Sequence, residues 1–248
     1  METYGLIGKN LTHTYSPSYF GEKFSKEKIN ANYRVFDISN LSEFRGLIDG
    51  NLNIRGLNVT IPYKKSICDF IDEIDPIAEL TGSVNTIRIE KNQEQNLLKG
   101  FNTDVIGFEE TIYSEIKKRA GIKAMILGTG GSSNSVAYVL RKLDVDYFFV
   151  SRNPRNNKEY AYNQIGSDHM ANNQLIINTT PVGMFPNDHE CPNIPYENIT
   201  SSHILYDLIY NPKKTIFIKK GLERGAKCIN GQRMLEIQAE ASWKIWQK

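Results

Sequence analysis

The chain has 248 residues, enough for one large domain or two ordinary ones. Its 40% hydrophobic and 23% charged residues and formal net charge of +2 describe a soluble globular protein, with no electrostatic case for nucleic acid or an anionic membrane surface as partner. Three widely spaced cysteines (Cys68, Cys191, Cys228) and four scattered histidines (His13, His169, His189, His203) fit neither a disulfide framework nor a metal-ligand pattern, so a reducing cytoplasm and no metal are expected. A strand pattern begins at Tyr4 and no apolar run approaches membrane-spanning length, so neither a signal peptide nor a membrane anchor is expected.

The first hundred residues alternate strand and helix signals. Residues 3–8 predict a strand, and Ser16-Pro17 a helix reaching about Ile29 with Tyr19, Phe20 and Phe24 on one face. A strand at 32–37 and a helix from Leu41 to Ile48 follow. The next strand, 54–59, runs into Thr60-Ile61-Pro62-Tyr63-Lys64, where Pro62 is expected to start a helix carrying Ile67, Phe70 and Ile71. A short helix from Pro76 to Leu80 precedes a hairpin, Ser83–Glu90 with Gln95–Phe101, bridged by Lys91-Asn92-Gln93-Glu94.

The pattern then changes. One long helix spans 103–119, capped by Asn102 or Thr103 with Asp104 in its first turn. A buried strand at 123–127, a glycine-rich turn, a helix from about Ser133 to Lys142 and a strand from Val145 to Val150 make a βαβ unit. Residues 152–173, rich in Asn, predict an irregular crossover. Strands at 175–178, 203–208 and 226–229, a helix from Pro212 to Glu223 and a last helix from Gln232 complete the chain. The fold class is α/β with two domains: residues 1–102 together with 231–248, and residues 103–230.

The turn Gly128-Thr129-Gly130-Gly131-Ser132-Ser133 follows a strand and opens a helix, the context that gives a dinucleotide fingerprint its meaning. Gly128 and Gly130 provide the tight turn and the close backbone approach to a pyrophosphate, and the helix N-terminus offers free N–H groups to the anion. The third fingerprint position is Ser133, small enough to pack. An NAD site places an acid at the end of the second strand. Here Val150 leads into Ser151-Arg152-Asn153-Pro154-Arg155. A guanidinium meets a 2′-phosphate with charge-assisted hydrogen bonds, so NADP is expected over NAD, with Arg152 as main contact and Arg155 as a second.

Polar residues gather where the strand patterns end: His13-Thr14-Tyr15-Ser16-Pro17, Asn58 to Lys64, Val84-Asn85-Thr86, Asn102-Thr103-Asp104, Asn178-Thr179-Thr180-Pro181-Val182-Gly183-Met184, and Gly231-Gln232-Arg233-Met234-Leu235-Glu236-Ile237-Gln238. Together with the glycine turn, and in this order, they resemble the shikimate dehydrogenase family over essentially the whole chain. The resemblance implies a substrate domain followed by a Rossmann domain, with the last helix returning to the first. It also implies reversible NADPH-dependent reduction of 3-dehydroshikimate to shikimate. By resemblance, Lys64 and Asp104 are the catalytic pair, and Thr14 and Ser16 bind the substrate carboxylate. Asn58, Thr60, Asn85, Asp104 and Gln238 hold its ring hydroxyls, and Tyr210 closes over it. Gly128, Thr129, Gly130, Gly131, Ser132, Ser151, Arg152, Asn178, Thr179, Thr180 and Gly231 then serve the cofactor. His13 shapes the carboxylate loop, and the protein acts as a monomer or homodimer.

The chemistry of these residue types agrees with such a reaction. Reducing a ketone builds negative charge on oxygen, which an ammonium stabilises and can protonate. A hydroxylated ring calls for neutral donors and acceptors, which Asn, Thr and Gln supply. Two positions depart from the family pattern: Thr14 stands where a serine is usual, its extra methyl narrowing the pocket, and Asn134 where many relatives carry Arg. The alternatives are a quinate/shikimate dehydrogenase using NAD, a folate-type methylene dehydrogenase of similar architecture, and a non-catalytic protein that kept the fold. The acid-free loop after Val150 opposes the first; the Asn58–Lys64 and Asn102–Asp104 segments oppose the second, and Lys64 with Asp104 the third.

Overall fold

The computed structural model describes residues 1–11, 14–51, 53–91 and 96–248. The chain divides into two compact units, residues 1–103 with 238–248, and residues 104–237. His13 and the bridge Asn92–Glu94 lie outside the described residues.

In the first unit β1 (Glu2–Gly8), β2 (Ala31–Asp37), β3 (Ile54–Val59), β4 (Glu73–Ile74), β5 (Thr86–Lys91) and β6 (Asn96–Phe101) form a mixed sheet in the order β2-β1-β3-β5-β6-β4. β1 runs parallel to β2 and β3, whereas β5 is antiparallel to β3 and β6. Alternation along each strand divides the core in two. Ile7, Leu57, Val59, Ile87 and Ile89 pack with Phe44 and Ile48 of α2 (Glu43–Asp49) and with Ala78 of α3 (Pro76–Thr81). Tyr4 faces the opposite side, against Phe20 and Phe24 of α1 (Ser16–Lys26) and Ala239 and Trp246 of α8 (Gln232–Trp246). The face beneath α8 is closely fitted: a Cβ on Gly56 would stand 2.3 Å from the Trp246 indole, whose Nε1 donates to the Ile87 carbonyl at 3.0 Å.

α1 ends at Lys26, short of the expected Ile29. Lys28 adopts a left-handed conformation (φ 55°), which turns the Ile29 N–H back onto the Phe24 carbonyl at 2.9 Å. The helix expected from Pro62 is absent: the chain makes successive turns through Lys65 and one 3₁₀ segment, Ser66–Phe70. The Lys64 carbonyl, which a continuing helix would use internally, instead accepts the Val84 N–H at 2.8 Å.

In the second unit β7 (Ala124–Leu127), β8 (Tyr147–Ser151), β9 (Glu159–Ala161), β10 (Leu175–Asn178), β11 (Ile204–Asp207) and β12 (Lys227–Ile229) pair in parallel, in the order β12-β11-β10-β7-β8-β9. This is the doubly wound order of a Rossmann-type sheet, with its switch point between β7 and β10. All four residues of β7, β10 and β11 are buried, because helices cover both faces of a parallel sheet. Among those helices are α4 (Asp104–Lys117), α5 (Gly131–Lys142) and α7 (Ile216–Glu223). Phe108 of α4 meets Tyr206 of β11 edge-on, ring centroids 5.0 Å apart.

The 152–173 segment is more regular than its composition suggests, holding β9, a 3₁₀ turn (Tyr162–Gln164) and α6 (Ser167–Asn172). α7 begins at Ile216 rather than Pro212, because Thr215 caps it by accepting the Ile218 N–H. Among the described residues no helix is long and apolar enough to cross a membrane.

Candidate functional site

Within the first unit, a buried polar cluster sits where β3 and β5 meet α8. Asn58 pairs in register with Thr86 across the two strands. Both alternate with core residues, so their side chains face α8, which presents Gln238 and Ser242 one turn apart. The Asn58 amide nitrogen lies 2.9 Å from Ser242 Oγ, and its Oδ1 accepts the Tyr33 hydroxyl at 2.8 Å. Ser242 Oγ lies 2.7 Å from Thr86 Oγ1, 3.2 Å from Thr103 Oγ1 and 2.9 Å from the Gln238 carbonyl. Asn85 Oδ1 accepts the Thr103 N–H at 2.7 Å and its Nδ2 points to Gln238 Oε1 at 3.4 Å. Asn58, Asn85, Thr86, Thr103, Gln238 and Ser242 are all buried.

Asn58, Asn85 and Gln238, singled out from sequence, are thus brought together. Thr60 continues the strand, its N–H donating to the Ile7 carbonyl at 2.9 Å. It lies against Gly8, where a Cβ would come within 2.7 Å of Thr60 Cγ2. Ser16 is buried at the start of α1 and hydrogen-bonds to Tyr33, whose phenol burial holds well above the ordinary tyrosine range. Thr14 is half-buried, two residues before α1. Lys64 is half-buried and held through its backbone: its carbonyl is tied to Val84, next to Asn85, and the Tyr63 carbonyl before it accepts the Ile67 N–H at 2.8 Å. The Tyr63 hydroxyl fastens the same turn by donating to the Ile38 carbonyl at 2.8 Å.

Four members of this cluster have no substrate role assigned from sequence: Tyr33, Thr86, Thr103 and Ser242. Thr86 and Thr103 lie within the polar segments named there, Thr103 only as a candidate helix cap. Ser242 stands four residues after Gln238, a helical spacing that puts both on one face. Tyr33 carries no local signal; only the parallel pairing of β1 with β2 brings it near Asn58.

In the second unit, α4 opens with buried Asp104, directly after the anchored Thr103 peptide. The glycine turn leaves β7 at the switch point. Gly128 has φ 107°, and a Cβ there would stand 2.9 Å from the side chains of both Thr179 and Thr180. A Cβ on Gly130, the residue before α5, would meet nothing within 4 Å, so its backbone faces open space. Thr129 completes the turn, Gly131 and Ser132 open α5, and Ser133 packs fully buried with its hydroxyl on the Gly130 carbonyl at 2.6 Å. From β10, Thr179 Oγ1 donates to the Leu127 carbonyl at 2.6 Å, and Asn178 Oδ1 accepts both the N–H and the hydroxyl of Thr180, at 3.1 and 2.6 Å.

Ser151 is buried at the end of β8, its hydroxyl accepting the Asn153 N–H at 3.2 Å; Arg152 and Arg155 beyond it are exposed. Tyr210 is half-buried after β11. Gly231 is a backbone necessity: a Cβ there would fall 2.0 Å from the Leu208 carbonyl oxygen, and its N–H donates to the Ile209 carbonyl at 3.0 Å. The open glycine turn at a helix start, at the switch point of a parallel sheet and next to an exposed arginine loop, suits a phosphate-bearing dinucleotide. Among the described residues no cluster of three or more His, Cys, Asp or Glu side chains is arranged to hold a metal ion.

The chain is similar to known proteins along its whole length. Residues 6–87 match the family model for the shikimate dehydrogenase substrate binding domain. The chain is 36% identical to a shikimate dehydrogenase (NADP(+)) of Methanococcus vannielii, over 98% of this chain and 90% of that protein. Among solved structures, it superposes on shikimate dehydrogenase 1 from Peptoclostridium difficile with TM-score 0.88 and 35% identity, covering 100% of this chain and 92% of the other. It also superposes on shikimate 5-dehydrogenase from Thermus thermophilus in complex with NADP(H) and shikimate, with TM-score 0.82, 26% identity and 99% and 93% coverage. A likeness of this strength along the full length of the sequence shows that the chain belongs to the shikimate dehydrogenase family.

Proposed function

We propose that this protein catalyses the reversible NADPH-dependent reduction of 3-dehydroshikimate to shikimate, a step of chorismate and aromatic amino acid biosynthesis. The observation that carries the reading is the 36% identity over 98% of the chain to an NADP-dependent shikimate dehydrogenase. Residues 1–102 with 231–248 form the substrate domain in this reading, and residues 103–230 the Rossmann NADP domain. The family match over residues 6–87 supports the first assignment, and the parallel sheet order supports the second.

The bound nicotinamide supplies hydride to the ketone carbon. Lys64 then serves the ketone oxygen, its ammonium stabilising the negative charge that grows there and donating the proton that makes the hydroxyl. Asp104 orients that ammonium and accepts a hydrogen bond from a neighbouring ring hydroxyl. Asn58, Thr60, Asn85 and Gln238 hold the ring hydroxyls, and Thr14 and Ser16 the carboxylate, while Tyr210 covers the substrate. Burial of most of these amides and hydroxyls in one hydrogen-bonded cluster supports the assignment, because such a cluster is preorganised and needs no rearrangement to bind.

Gly128, Thr129, Gly130, Gly131 and Ser132 cradle the NADP pyrophosphate, with Asn178, Thr179, Thr180 and Gly231 around it. Ser151 and Arg152 meet the 2′-phosphate, and Arg155 stands near enough in sequence to add a second charge. The protein works as a cytoplasmic monomer or homodimer. A spectrophotometric assay with shikimate and NADP, repeated with NAD and with quinate, tests the reading: turnover is expected to favour shikimate and NADP, and absence of shikimate oxidation would refute it.

A further inference from the structure

Asp207 closes β11, fully buried, and lies in register beside Asn178, which closes β10. Its Oδ1 accepts the Asn178 amide at 3.0 Å and the Ile209 N–H at 3.1 Å, and its Oδ2 accepts the Thr215 hydroxyl at 2.5 Å. Asn178, also fully buried, passes this order on: with its amide nitrogen held by Asp207 and by the Val182 carbonyl at 3.3 Å, its oxygen faces Thr180 and accepts both the N–H and the hydroxyl there. Thr180 and Thr179 in turn form the wall against which Gly128 closes, too near for any side chain at that position. A continuous chain of contacts therefore runs from a carboxylate buried at the end of β11 to the glycine turn.

An amide has two distinguishable ends, and a flipped Asn178 would aim its NH₂ at the Thr180 N–H, donor against donor. A purely acceptor group beside Asn178 excludes that flip. The Thr215 contact holds the carboxylate itself, because Thr215 is fixed as the cap of α7.

We infer that Asp207 is a positioning residue for the nucleotide: it fixes the orientation of Asn178, and through it the Thr179–Thr180 wall that sets the shape of the glycine turn. The inference rests on the reading of this unit as the NADP-binding one. The link from Asp207 to the glycine turn runs through Asn178, so its loss bears on nucleotide affinity more than on the chemical step.

The test uses the full chain and two variants. Asp207→Asn keeps an oxygen for Asn178 and Ile209 and turns an NH₂ toward the Thr215 hydroxyl; Asp207→Ala removes every acceptor. NADPH affinity is measured directly by fluorescence titration, and kcat and the KM for 3-dehydroshikimate at saturating NADPH. Asp207→Ala is expected to raise the NADPH Kd by about tenfold or more, with kcat and substrate KM within about threefold, and Asp207→Asn to stay within about threefold of wild type throughout. Should Asp207→Ala not fold, Asp207→Ser takes its place: its hydroxyl is too short to reach Asn178, and the same split is expected. A Kd within twofold of wild type in the truncated variant, accompanied only by a lower Tm, would reduce Asp207 to a structural residue and overturn the inference, as would equal damage from Asp207→Asn. Wild-type protein that binds NADPH but turns over no 3-dehydroshikimate would refute the proposed reaction while leaving the positioning role supported by the Kd data. Wild-type protein that binds no NADPH would overturn both.

Discussion

Asn58 and Ser242 are 184 positions apart in the chain, yet the amide of one and the hydroxyl of the other meet at 2.9 Å in a buried part of the first unit. Ser242 is the closest of three acceptors for that amide, the others being Thr86 Oγ1 at 3.3 Å and the Asn85 carbonyl at 3.4 Å. It also stands within hydrogen-bond distance of Thr103, whose own N–H is fixed to Asn85. The last helix thereby completes the polar cluster with a side chain, while its Trp246 ring packs against Tyr4 and Phe20.

Removing that hydroxyl tests how far substrate affinity depends on the cluster. Ser242→Ala leaves a buried amide with only its longer contacts, a loss worth about 1–3 kcal/mol. The expected outcome is a KM for shikimate raised about threefold to tenfold, with the KM for NADP within twofold of wild type and a Tm lowered by several degrees. Steady-state kinetics with each substrate varied in turn give the answer. An unchanged shikimate KM would mean that Asn58 keeps its orientation through Tyr33, Thr86 and the Asn85 carbonyl without Ser242.

In the proposed function Lys64 bears on the chemical step. Its backbone is held through the Val84 N–H and the Tyr63 turn, so truncating the side chain leaves the fold in place. Lys64→Ala is expected to lower kcat by about a hundredfold to ten-thousandfold, the usual worth of a positioned proton donor, with NADPH affinity nearly unchanged. Near-normal turnover would remove Lys64 from the mechanism.

How much of this is legible in the sequence depends on whether the deciding interactions are local. β3 and β10 have the expected bounds because each is a short strand buried almost throughout. The glycine turn is readable because its strand and helix lie on either side of it. The helix expected at Pro62 does not form because a proline start says nothing of where the Lys64 carbonyl finds its donor, and that donor, Val84, is on a distant segment. Ile29 falls outside α1 because Lys28, a residue with no obvious turn signal, takes the left-handed conformation. The polar cluster shows the same division: Asn85 and Gln238 lie in recognisable motifs, whereas Tyr33 becomes part of it only when β2 pairs with β1. Asp207 escapes a reading of the sequence for a related reason, since a single acid at a strand end is unremarkable until its register with Asn178 is known.

In the proposed function Arg152 governs cofactor choice. It is exposed at the end of β8, and the loop through Pro154 carries no acid to repel a phosphate. A charge-assisted pair with a phosphate is worth about 1.5–3 kcal/mol, so Arg152→Ala is expected to cost about tenfold to a hundredfold in kcat/KM for NADPH. The value for NADH, which has no 2′-phosphate, should change by less than about threefold. The ratio of the two specificity constants, before and after the substitution, is the measurement. A wild-type preference for NADH, or equal losses with both cofactors, would show that this loop does not read the phosphate.

Asp207 also makes a prediction about pH and stability. Burial pushes its carboxyl up to about 6, against an ordinary 3.8, and the hydrogen bonds from Thr215, Ile209 and Asn178 offset only part of that. A carboxyl whose folded pKa lies above its unfolded value binds its proton more tightly in the native state. Its contribution to stability is therefore greatest below the unfolded value, declines as pH rises between about 4 and 6, and is constant above. Two units correspond to about 3 kcal/mol. Other carboxylates, such as Glu115 held low by Lys227, titrate in the opposite sense, so the whole protein's acid curve would hide the effect. Comparison with Asp207→Asn isolates it, because the amide keeps the shape and does not ionise. The stability of the variant relative to wild type, from denaturant unfolding at closely spaced pH values, should rise between about pH 4 and 6.5 and level off beyond. A difference that stays flat across this range would mean that the native carboxyl titrates near its ordinary value, with the Thr215 and Asn178 contacts outweighing its burial.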